Sequence, residues 1–143
     1  MSHHCQALVL HCIDFRFHTA IRDFLVSLGL KNNYDLVSLA GAAKGLADKD
    51  AASTQLILKQ IEISEKLHGI SEVYLMHHLD CGAYGGHAAF PDLQAERARQ
   101  IQDMRSARKI ILDKFSKLEV KNVLARIQPG PQGDQIDFEM VGN

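Results

Sequence analysis

The apolar positions of this chain fall into two kinds of pattern. Ala7-Leu8-Val9-Leu10 is a continuous apolar run, as expected of a strand buried on both faces of a parallel sheet. After Arg16 the apolar residues Ala20, Ile21, Phe24, Leu25 and Leu28 recur at helical spacing, with Gly29 placed as a left-handed C-terminal cap. Residues 34–39 read as a second strand that ends in Ala40-Gly41-Ala42-Ala43. Residues 51–68 carry Leu56, Ile57, Ile61, Ser64 and Leu67 on one stripe and stop at Gly69, which predicts a helix. Val73-Tyr74-Leu75-Met76 is a third short apolar run. A long helix is predicted over 93–118, with Ala98, Ile101, Met104, Leu112, Phe115 and Leu118 facing inward, and a fourth strand over 120–127. After the turn cluster Pro129-Gly130-Pro131-Gln132-Gly133-Asp134, the segment Ile136-Asp137-Phe138-Glu139-Met140 alternates with period two, which predicts an antiparallel edge strand.

These elements describe an α/β fold: a central, mostly parallel sheet of four strands, an antiparallel C-terminal edge strand, and helices on both faces. With neither repeat nor linker, residues 1–143 read as one domain, long enough to bury roughly 68–70% of its unfolded surface. Sixteen basic residues against seventeen acidic ones give a net charge of −1, so nothing electrostatic calls for nucleic acid or an anionic membrane as partner. The segment from Arg97 to Lys121 is locally basic, but Glu96, Asp103, Asp113 and Glu119 are interspersed, as on a solvated helix face. Three cysteines, an odd number at low density, suggest a reducing compartment, with the cytoplasm as the default. The start Met1-Ser2-His3-His4-Cys5 has no charged n-region, and the run 7–10 is too short for a signal peptide or a membrane span. His3 and His4 read as a frayed terminus and Cys5 as a small packing residue.

Chemistry enters just past two of the strands. Cys12-Ile13-Asp14-Phe15-Arg16 follows the first, and His78-Leu79-Asp80-Cys81-Gly82 follows the third. Two thiolates and one imidazole make three protein ligands, which leave one open position on a tetrahedral zinc, as catalytic sites do. A His-x-x-Cys pair alone is a weak signal, since a packed cysteine and a backbone-bonded histidine account for it equally well. Cys12 at the carboxyl end of another strand adds specificity, because open α/β sheets place their ligands at that edge. Asp14 and Arg16 alternate with Cys12 on one side of an extended segment. Two thiolates neutralise the zinc charge, so a bound water is acidified less than at a three-histidine site. An Asp kept ionised by a neighbouring Arg can compensate by accepting that water's hydrogen bond. No other Cys/His set has comparable spacing, so one zinc per chain is expected. Of the remaining candidates, His11 and His77 should point to the opposite strand faces, Tyr84 should pack, His87 should be a surface loop residue, and His18 and His68 carry no signal. The glycines of Gly82-Ala83-Tyr84-Gly85-Gly86 fit no phosphate loop and would permit close backbone approach to the metal.

Cys12-x-Asp14-x-Arg16 joined to His78-x-x-Cys81-Gly82 resembles the β-class carbonic anhydrases. Val37-Ser38-Leu39-Ala40-Gly41 sits where that family has Val-x-Arg-Asn-Ala-Gly, and residues 77–83 read like its short, archaeal-type members. The resemblance spans residues 6–141 in element order. It implies zinc held by Cys12, His78 and Cys81, an Asp14/Arg16 dyad, and Gly41 and Gly82 beside the substrate. It implies reversible hydration of CO2 to bicarbonate by zinc-bound hydroxide, in a homodimer or a dimer of dimers. The chain departs from the pattern at Phe15, where the family has Ser, at Ser38-Leu39, where it has Arg-Asn, and in starting almost at the first strand, without the helical arm of larger members. Two other readings stay open at this point: a zinc hydrolase of a CO2 analogue such as carbonyl sulfide or carbon disulfide, and a non-catalytic zinc-binding module in which Asp14 closes the fourth position.

Overall fold

The structure, a computed structural model, describes residues 3–142. Five strands form one sheet: β1 (Ala7–His11), β2 (Tyr34–Ser38), β3 (Glu72–His78), β4 (Glu119–Gln128) and β5 (Gln135–Val141). Their order is β2-β1-β3-β4-β5, with the first four parallel and β5 antiparallel on the edge. The helices are α1 (His18–Ser27), α2 (Lys44–Ala47), α3 (Ala51–His68) and α4 (Leu93–Lys114). The α/β architecture read from the sequence is therefore the one observed. The short α2 and two single 3-10 turns, Gly82–Tyr84 and His87–Ala89, carry too few apolar positions for a periodic signal.

Strand alternation sends side chains to two separate cores. Leu8, Leu10, Val73 and Leu75 pack against Leu46 of α2, Ile57 and Ile61 of α3, and Ala107 and Ile111 of α4. On the other face Ala7, Val9, Tyr74 and Met76 pack against Phe17, Ile21 and Leu25, and Phe24 stacks on Phe138 of β5 at 4.3 Å. Asp50 caps the start of α3 by accepting from the Ser53 N–H, and Gly69, at φ +63°, ends it.

Two helical faces differ from expectation. On α3 the buried stripe is Ile57, Ile61 and Ser64, whereas Leu56 and Leu67 are exposed, because α3 rests on a single layer and leaves its flanks to solvent. On α4 Ile101 and Met104 are buried as expected, but Ala98 is exposed and Leu112 only half-buried. The inward face also contains Glu96, Gln100 and Asp103. Glu96 and Asp103, expected on a solvated face, are 1% and 8% exposed.

Candidate metal centre

β1 and β3 are adjacent and parallel, with His11 opposite Met76, so the segments that follow them emerge side by side at the carboxyl edge of the sheet. Cys12, His78 and Cys81 are all buried, and their ligand atoms lie within 4.8 Å of one another. The two sulfurs are 3.9 Å apart, and the Gly41 N–H donates to the Cys12 sulfur at 3.5 Å. Gly41 has φ +76°, and a Cβ there would fall 2.9 Å from the Ala83 Cβ, so this close approach requires glycine. At Gly82 a Cβ would meet nothing, so crowding does not explain that glycine.

The His78 ring is fixed in one tautomer: Nδ1–H donates to the Leu79 carbonyl at 2.7 Å, and Phe17 stacks on the ring at 4.2 Å. Nε2 is therefore a bare lone pair, buried and without a hydrogen-bond partner among the described residues. Such an orphan costs about 1–3 kcal/mol unless something fills the role of a partner. Beside two thiols, a divalent zinc is the partner that fits the donor set. The Cys81 S–H facing Cys12 pulls the Cys12 thiol well below its ordinary range despite burial, with the Gly41 N–H helping. The same contact, with burial, pushes Cys81 up. The pair thus holds one negative charge readily, and the second needs a cation.

Asp14 and Arg16 close the outer side. The guanidinium donates to both carboxylate oxygens, at 3.0 Å from Nε and 2.7 Å from the terminal nitrogen, and the Arg16 backbone N–H adds a third bond at 3.0 Å. Arg16 holds the Asp14 carboxyl down to about 2. Asp14 Oδ2 lies 3.6 Å from His78 Nε2, so the carboxylate borders the space where the three donors converge. Phe15, where the resembling family has Ser, is 84% exposed. Ser38 lies near the His11 ring, at 3.4 Å, and Leu39 packs on the α3/α4 core.

Several residues that build the site gave no signal of their own. Asp80, between the two β3-side ligands, has φ +58°, a conformation that aspartate tolerates better than most residues. All its polar groups are engaged. Its N–H donates to Glu96 at 2.6 Å, its carbonyl and Oδ2 accept from Arg16 at 3.0 and 3.2 Å, and its Oδ1 accepts from the His87 N–H at 3.0 Å. His87, exposed as expected, donates from Nδ1 to the other oxygen of Glu96 at 2.5 Å. Gln100 donates to the His78 carbonyl at 2.6 Å and accepts from His77 Nδ1 at 2.8 Å, while His77 Nε2 accepts from the Ala43 N–H at 3.1 Å. His77 thus faces away from the metal donors, as strand alternation predicts. Complete burial pushes it down to about 4. Tyr84 is buried against Cys12 and Cys81 and donates to Asp103 at 2.7 Å.

One cluster runs against expectation. Cys5, Asp35 and His68, assigned no joint role above, also bring their ligand atoms within 4.8 Å of one another.

A family model described as "Putative carbonic anhydrase" matches residues 2–127. An uncharacterized protein of Rickettsia conorii is 34% identical over 123 residues, covering 83% of this chain and 66% of that protein. Another, of Rickettsia bellii, is 33% identical over 123 residues, covering 83% of this chain and 75% of its own length. The chain thus spans just under two thirds of the first relative's length. Among solved structures, the β-carbonic anhydrase CafD of Aspergillus fumigatus superposes with a TM-score of 0.55 over 85% of this chain and 84% of its own, at 15% identity, a likeness of fold. On the span of the family match, and with a β-class fold around its buried Cys/His cluster, the chain belongs to this carbonic anhydrase family.

Proposed function

We propose that the protein is a zinc-dependent lyase that reversibly hydrates CO2 to bicarbonate, with Cys12, His78 and Cys81 holding the metal. The observation that carries this reading is the buried, unpartnered Nε2 of His78, aimed at two thiols and bordered by an Arg-held carboxylate. When bound there, zinc would supply a Lewis acid that makes water nucleophilic near neutral pH. Asp14, ionised throughout the physiological range, accepts a hydrogen bond from the attacking water and orients it. Arg16 has two jobs. Its bonds to Asp14 would keep that carboxylate from ligating a bound metal, and its bonds to Asp80 tie the dyad to the ligand loop. Gly41, whose N–H is turned toward the Cys12 sulfur, and Gly82, the residue after Cys81, would lie beside the substrate. Exposed Phe15, Ile13 and Leu36 provide apolar surface for a second copy of the chain, in line with a homodimer. Three free thiols suit the cytoplasm, and no helix among the described residues is long and apolar enough to cross a membrane.

Stopped-flow CO2 hydration by zinc-replete protein, run beside sulfide release from carbonyl sulfide and carbon disulfide, tests the proposal. Hydration abolished in His78→Ala together with its zinc supports it. Sulfide release without hydration makes the protein a hydrolase of a CO2 analogue, and neither activity in zinc-replete protein makes it a non-catalytic module.

A further inference from the structure

The amino end of the sheet, where β1 and β2 begin, carries a second convergence of metal donors. Cys5 precedes β1, Asp35 is the second residue of β2, and His68 is the last residue of α3. The backbone fixes their proximity: the Cys5 N–H donates to the His68 carbonyl at 3.0 Å, and the Gln6 N–H donates to the Asn33 carbonyl at 3.1 Å. Asp35 Oδ2 accepts from Ser64 Oγ at 2.5 Å and from His68 Nδ1 at 2.7 Å. A second imidazole lies close by. His4 packs on Gly69, where a Cβ would fall 3.0 Å from His4 Cδ2.

We propose that Cys5, Asp35 and His68 form a second zinc site, which pins the segment before β1 to α3 and β2. The donor chemistry is that of zinc: one sulfur, one imidazole nitrogen and one carboxylate oxygen, a set that suits a borderline-soft divalent ion and not magnesium or calcium. Donors around tetrahedral zinc are about 3.3–3.8 Å apart, so atoms already within 4.8 Å of one another need only a small contraction. Binding releases the Cys5 proton, and the His68 ring proton moves from Nδ1 to Nε2, freeing the nitrogen that faces Asp35. Thiolate and carboxylate together cancel the metal's charge. A nucleophilic role for Cys5 is disfavoured, because burial and the Asp35 charge push this thiol up, the reverse of an activated cysteine. His68 and Asp35 are part-exposed, which gives the ion a route in.

The inference stands apart from the carboxyl-edge centre, and the experiment separates the two. Metal-free protein is reconstituted with Co2+, which reports thiolate coordination by a near-ultraviolet charge-transfer band, and bound metal is counted by elemental analysis. Wild type should bind about two equivalents per chain, and Cys5→Ser, Asp35→Asn and His68→Gln about one each. Cys81→Ser should keep the amino-end equivalent, with one sulfur-to-cobalt contribution. CO2 hydration should be unchanged in Cys5→Ser. One equivalent in wild type that survives all three amino-end substitutions and vanishes in Cys81→Ser overturns the second site and leaves the first intact. One equivalent that vanishes in Cys5→Ser and survives Cys81→Ser does the reverse. Should Cys81→Ser not fold, the difference between wild type and the three amino-end variants, each checked by circular dichroism, still decides.

Discussion

The inward face of α4 changes character halfway along. From Met104 onward it presents Met104, Ala107 and Ile111 to the α2/α3 side of the sheet. In the preceding turns the same face presents, beside Ile101, the buried Glu96, Gln100 and Asp103, each bonded to a residue of the site loop or to its neighbours. A helix that only had to fold would be apolar throughout. The polar half accepts the cost of burying two carboxylates and an amide, and in return fixes Asp80, His78 and Tyr84, since buried polar groups hold position only when all their bonds are made. One helix thus divides into a folding half and a site-holding half.

The largest effect should come from the site that the polar half holds. Asp14→Asn should lower kcat/KM by about 10²–10⁴ with zinc content near normal, measured by stopped flow and elemental analysis. Arg16→Ala should fall similarly, by freeing Asp14 to bind the metal. In the apolar half, Ile111→Ala should cost about 2–5 kcal/mol in urea unfolding while kcat/KM per folded molecule is unchanged. A loss of kcat/KM there would erase the division. Next comes pH. His77, wholly buried, has its folded value depressed to about 4 from 6.5, so its contribution is fully present above pH 6.5 and is lost as pH falls through 4. In chelator-treated protein that amounts to about 3 kcal/mol, and His77→Gln should flatten this part of the stability profile. The smallest effect is the most telling. Gln100→Leu should lower zinc affinity or turnover by about 10–100-fold, since it frees the His78 carbonyl and His77 Nδ1 without touching a ligand. If it proves silent in activity and damaging only in stability, the polar half is merely more core.

Much of this was legible in the chain. Short β-rich runs such as Val73-Tyr74-Leu75-Met76, too brief for a helix, read as buried strands, and the half-sites after β1 and β3 share an edge in any parallel sheet. The Cys/His donors and the Asp14/Arg16 pair could be named because their spacing is local. What stayed hidden depends on distant partners. Glu96 and Asp103 looked like solvated charges because nothing near them in sequence reveals that Asp80 and Tyr84 will meet them. Cys5, Asp35 and His68 come together only after α3 has crossed back over the sheet. Leu56 and Leu67 misled for the opposite reason, since an apolar stripe states what a face could bury and not how much of it a neighbour covers.

The two halves of the metal centre sit on neighbouring strands, yet Cys12 and Cys81 are 69 residues apart in the chain. At a synthesis rate of about 5–20 residues per second, Cys12 is added to the chain roughly 3–14 seconds before Cys81. Gln100 follows His78 by another 22 residues. A chain ended between residues 82 and 92 would therefore carry all three candidate donors and no α4 to hold those of β3 in place, so the buttress of the site is the last of its parts to be made.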